Sequence, residues 1–167
     1  ITVSISPTLC DKIERGRAAL NTLIESGIPC YGVTTGLGQL VTESLDESAK
    51  HDLPRNILRA RAAGMGAPLP TPVVRSTMLL RLVNFLSGAD GVSSAVCQFI
   101  IDRLNDDFIP WVPSLGHGMA GDAIAHTHCF QTLIGEGSIG KGVFLMTLQY
   151  ILVPKNCSSL EMAELFD

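Results

Sequence analysis

The sequence predicts one mainly α domain, with a short extended N-terminal segment and an ordered glycine-rich loop. Three observations predict it. Apolar residues recur at helical spacing in several windows. Those windows are bounded by Ser-Pro, Thr-Pro and glycine signals for helix starts and stops. Between Tyr31 and Gly38, three glycines and two β-branched threonines make a poor helix and read as a loop. With 167 residues the chain can bury one core but is too short to expect two, so residues 1–167 are read as a single domain.

Taken in order, Ser6-Pro7 supplies a cap and a first-turn proline for a helix with a stripe at Leu9, Ile13, Leu20, Leu23 and Ile24, stopped by Gly27-Ile28-Pro29. Pro54 opens a short helix over Pro54–Ala63 that ends at Gly64-Met65-Gly66. Thr71-Pro72 caps a third helix with Val74, Met78, Leu82, Phe85 and Leu86 inside, closed by Gly88. A fourth runs from Val92 to Asn105, and the stripes of helices one, three and four are read as core. Residues 109–113, Ile-Pro-Trp-Val-Pro, are extended because each proline disfavours helix in the residue before it. After the glycine-rich stretch Gly116–Gly121, helix resumes over Asp122–Ile134. The capping-box spacing Ser158-Ser-Leu-Glu161 starts a last short one.

Composition excludes several classes of function. A net charge of −4, a pI near 5.5 and scattered Lys and Arg give no basic field for a phosphate backbone, so no nucleic-acid partner is expected. No apolar run reaches the roughly 18 residues of a membrane span, and the start lacks a signal-peptide pattern. Five widely spaced cysteines without a CxxC pair suit reduced core thiols and a cytoplasmic setting. A hydrophobic fraction of 46% against 17% charged residues and a mean hydropathy of +0.31 point to a surface that meets another chain.

Four segments in a fixed order carry a family resemblance: Tyr31-Gly-Val-Thr-Thr-Gly-Leu-Gly38; Leu53 to Gly66; Leu80-Arg81 through Gly88-Ala-Asp-Gly-Val92; and residues 109–137, ending in Leu133-Ile-Gly-Glu-Gly137. Together they resemble the histidine and aromatic amino-acid ammonia-lyases over about residues 24–137, and so imply the helical N-terminal portion of that fold. In the family an internal Ala-Ser-Gly cyclises into the electrophile 4-methylideneimidazol-5-one. Here Met119-Ala120-Gly121 stands at that tripeptide, and Ala120 has no hydroxyl to eliminate, so no such cofactor is expected. Arg61 and Ala60 replace the motif's histidine and serine, Val83 its asparagine and Asp90 its later serine. The family also continues for several hundred further residues. A homo-oligomer, or a hetero-oligomer with a longer lyase-like chain, is therefore an expectation, the second including a non-catalytic or half-site subunit.

The candidate chemistry is acid–base. The resemblance makes Tyr31 a catalytic base helped by Arg61, and the alternative is a loop anchor with a bonded hydroxyl. It also places Leu37, Gly38, Ala60, Arg61, Met119 and Ala120 around substrate. His117, Asp122, His126, His128 and Cys129 crowd one span. His117 and His126 are proton-transfer candidates, while Asp122 and His128 are read as structural hydrogen-bonders and a metal site is not favoured. Asp90 is a helix N-cap or a base. Gly135–Gly142 nearly spells a phosphate loop, but it follows a helix and Gly142 replaces the needed hydroxyl residue. The expected activity is elimination, isomerisation or cyclisation of a small carbonyl-bearing metabolite.

Overall fold

Ser6 caps the first helix as expected. Its side chain accepts from the Leu9 amide, Pro7 occupies the first turn, and α1 runs Pro7–Glu25 before Gly27 turns at φ 72°. The computed structural model describes residues 2–118, 123–141 and 144–147. The extended N-terminal segment is pinned to the far end of α4, where Val3 exchanges two hydrogen bonds with the Asn105 amide at 2.8 and 2.9 Å.

The α1 stripe is only partly core, because Ile13 is buried while Leu23 is 42% exposed. The helix docks through its first half. A Cβ on Gly16 would lie 1.9 Å from the Gly88 carbonyl oxygen, Glu14 accepts from the Ser94 amide at 2.9 Å, and Arg17 donates to the Gly91 carbonyl at 3.4 Å.

α2 spans Glu47–Arg61, starting seven residues before the expected Pro54. The Asp46 carboxylate accepts from the Ala49 amide at 2.7 Å and caps it, and Pro54 sits inside the helix. A proline costs an interior helix one donor and a steric clash. Here the cap and the docking of α2 on a later helix outweigh that cost.

Two further helices make the centre. α3 (Thr71–Phe85) buries Val74, Met78, Leu82 and Phe85, and α4 (Ser94–Asn105) buries Cys97, Ile100, Ile101 and Leu104 against them. Burying such a side chain contributes about 1.5–3 kcal/mol. Thr71 lies within the first turn of α3 and is not its cap. Ser93 caps α4, accepting from the Val96 amide at 3.5 Å, so Asp90 is not the N-cap and the helix starts two residues later than Val92.

Short strands complete the frame. β1 (Met65–Pro68) pairs antiparallel with β2 (Pro113–Leu115), Met65 opposite Leu115, which gives the proline-rich run its partner. α5 (Ala123–Phe130) continues as a 3₁₀ turn over Gln131–Ile134, ended by Gly135 at φ 72°. The chain then enters β3 (Ser138–Lys141), paired with β4 (Phe144–Thr147), a hairpin that the sequence did not reveal. The run that nearly spells a phosphate loop thus enters a hairpin strand. Ser158–Glu161 and Cys157 lie outside the described residues.

Candidate active site

α3, α5 and the exit of β2 border an open cavity of about 530 Å³, within the usual volume range of small-molecule sites. Thr77, Arg81 and Asn84 face it from one side of α3, at the i, i+4, i+7 spacing that puts them on one face. His117 reaches it from the segment after β2 and His126 from α5, while Leu69, Leu80 and Ala125 supply apolar wall.

Among the described residues no carboxylate lines this cavity; its polar groups are a guanidinium, two imidazoles, an amide and a hydroxyl. The Arg81 guanidinium lies 4.6 Å from the Phe85 ring centroid, a cation–π contact that orients it and, among the described residues, leaves its donors available. His117 Nε2 is 3.0 Å from the Pro113 carbonyl oxygen. A nitrogen facing a carbonyl carries the proton, so the lone pair of neutral His117 is on Nδ1. The His126 ring stacks on Phe130, centroids 6.3 Å apart and planes 9° apart. Such a set can hold an oxygen anion and move a proton beside it.

The Tyr31 loop is ordered, as its composition implies. The Cys30 carbonyl accepts from the Val33 and Thr34 amides at 3.0 and 2.9 Å, and Thr34 Oγ1 accepts from the Cys30 amide at 2.8 Å. Gly32 has φ 72°, and a Cβ there would meet Leu37 Cδ2 at 2.9 Å. Tyr31 is 62% exposed, and its hydroxyl oxygen accepts from the Gly38 amide at 3.0 Å, which closes the loop onto the 3₁₀ turn Gly38–Leu40. An amide donating to the phenol oxygen suits both readings of Tyr31, since it anchors the loop and also favours a phenolate. Arg61, half-buried at the end of α2, makes no hydrogen bond or ion pair with Tyr31 among the described residues, and Ala60 beside it is exposed.

Asp90 lies exposed in the turn between α3 and α4, beside α1, and does not line the cavity. Met119, Ala120 and Asp122 lie outside the described residues. His128 is buried and accepts from the Gly64 amide at 3.0 Å, the structural role expected of it. Among the described residues no group of three or more His, Cys, Asp or Glu is placed to hold a metal ion. Burial pushes the Cys97 and Cys129 thiols up to about 11 and about 12, so both stay protonated. Sequence reasoning missed Thr77, Arg81 and Asn84 as site residues. The available signal was Arg81 itself, a second cation in a helix that is otherwise apolar or neutral.

Helical core, glycine-rich loop and β1–β2 pair define a lyase-type N-terminal domain. The chain belongs to the aromatic amino acid lyase family, whose family model matches residues 1–157. Histidine ammonia-lyase of Treponema denticola is 36% identical over 136 residues, covering 81% of this chain, and that of Deinococcus radiodurans is 37% identical over 138. The chain spans about a quarter of the length of these relatives, 27% and 26%. Among solved structures it is similar to tyrosine aminomutase from Streptomyces globisporus (TM-score 0.84, 27% identity, 92% of this chain and 29% of that one). It is also similar to ergothionase from Treponema denticola (TM-score 0.81, 27% identity, 87% and 29%). No helix among the described residues is long and apolar enough to cross a membrane.

Proposed function

We propose that this chain provides a lyase-like acid–base site that works without the family's electrophilic cofactor, on a small carbonyl-bearing metabolite. The observation that carries the proposal is the convergence of His117, His126 and Arg81 on one cavity. Arg81, with Asn84, binds the carbonyl or carboxylate oxygen. One imidazole then removes the proton next to the carbonyl, the electron pair moves onto the oxygen, and the guanidinium stabilises the resulting negative charge. Histidine serves this task because its charge changes near neutral pH. The protonated imidazole returns the proton at another atom, or to a leaving group, so the same start serves isomerisation or elimination.

Cofactor independence rests on Ala120. The residues present do not fit the family's electrophile, because Met119-Ala120-Gly121 offers no serine hydroxyl for its dehydration. Tyr31, fixed by the Gly38 amide, holds the loop. Incubation with a metabolite extract, read by mass spectrometry, tests the reading: the wild-type chain changes a metabolite's mass, and His117→Ala with His126→Ala abolishes the change. Conversion that persists in that variant, or an absorbance band of the family's cofactor in the wild type, overturns it.

A second reading, association with another copy or with a lyase-like chain, is favoured by the outer side of α3, where Val73 and Val83 are 46% and 52% exposed. A helix apolar on both sides is usually buried on both. Light scattering tests the first of these: a mass above that of the single chain supports association with another copy, and a monomer at all concentrations rejects it.

A further inference from the structure

We propose that His128 is a positioning residue whose neutral imidazole latches the turn between α2 and β1 onto α5, and that protonation releases this latch. The inference goes beyond the proposed reaction and does not depend on it.

The bond from the Gly64 amide ends on His128 Nε2, and His128 is 6% exposed. A ring nitrogen that accepts has no proton, so the proton of the neutral ring is on Nδ1. Nδ1 lies 3.5 Å from the Gln131 side-chain amide, which can present its oxygen after an end-for-end turn. Trp111 meets the ring edge-on at 5.8 Å. In the protonated ring both nitrogens donate, and Nε2–H opposes the Gly64 N–H in a place with little water.

The turn has little room to adjust. A Cβ on Gly64 would lie 2.6 Å from Pro113 Cγ and 3.0 Å from both Ile124 Cγ2 and the Leu115 carbonyl oxygen. Gly64 therefore sits wedged between β2 and α5, with Arg61 just before it and β1 just after. β1 pairs with β2, which ends two residues before His117. Through Gly64, His128 thus sets the strand pair that presents His117 to the cavity.

Among the described residues, the ionisable groups on the surrounding elements do not favour a charged His128. α2 brings Arg59 and Arg61, and β1 and β2 bring none. Glu136, after the 3₁₀ turn, is engaged by Arg59 at 2.9 Å, and α5 brings His126, stacked on Phe130. Burial moves the His128 pKa below its ordinary value, in the same direction. The latch is therefore complete above the ordinary histidine range and is lost as pH falls through the depressed value.

The test is hydrogen exchange at the Gly64 amide, followed by NMR in the full chain and corrected for intrinsic rate. In the wild type, as pH is lowered from 7.5 until the His128 ring signals have titrated, protection at Gly64 falls at least tenfold in step with them, while α4 amides such as Ile101 stay protected. His128→Gln can accept through its oxygen but does not titrate, and it keeps Gly64 protection constant over the same range. Equal loss in His128→Gln, or unchanged wild-type protection while His128 titrates, overturns the proposal. The wild-type titration decides the matter even where the variant does not fold.

Discussion

Gly16 and Gly88 set the distance between α1 and the turn after α3, since a Cβ on Gly16 would stand only 1.9 Å from the Gly88 carbonyl oxygen. Gly16→Ala is expected to destabilise the fold by about 2–3 kcal/mol, read as a lower denaturation midpoint. At the same junction the Ser94 hydrogen bonds, helped by Arg17, hold the Glu14 carboxyl below its usual range. A carboxyl lowered in the folded state stabilises above its unfolded value and loses that contribution as pH falls through the folded one. Glu14→Gln is therefore expected to flatten the stability loss below about pH 4.5, measured by denaturant titration at several pH values. Single residues were legible where local chemistry decides them. Ser6 and Gly135 were found as helix start and stop, whereas Thr71, read as a cap, and Asp90, read as a cap or a base, lie one and three residues from the caps Pro70 and Ser93, because a cap depends on which backbone amide its oxygen reaches.

The elements show a different limit. Pro54 looked like a helix start, and its position inside α2 follows from the Asp46 cap upstream and from packing against α5. Asp46→Ala is expected to cost about 1 kcal/mol and to fray the first turn, visible as lost amide protection at Ala49. The Arg59–Glu136 pair joins α2 to the end of the 3₁₀ turn through an exposed Arg59, so Arg59→Gln is expected to leave the denaturation midpoint nearly unchanged. The β3–β4 hairpin was invisible because its glycines suggested a loop and no strict polar alternation marked the strands. β1 was invisible because its partner β2 lies some fifty residues away in sequence, and strand pairing at that separation leaves no local pattern.

At the scale of the whole molecule, the order of four motifs was enough to find the family, and the structure adds which of their residues converge. His117 and His126 were chosen from their crowding in sequence and share a cavity; Asp90 and Tyr31 stand in other loops. Arg81, Asn84 and Thr77 went unrecognised because their common side of α3 acquires a purpose only when α5 and the β2 exit face it. If the outer side of α3 meets another chain, Val83→Glu is expected to lower the average mass in light scattering while thermal stability is kept. The claim that this cavity binds a carbonyl-bearing anion is tested most directly by titrating pyruvate while following the His117 and His126 ring signals by NMR. Both signals are predicted to shift saturably in the wild type and to stay still in Arg81→Leu; shifts that survive in Arg81→Leu, or none in the wild type, contradict the account.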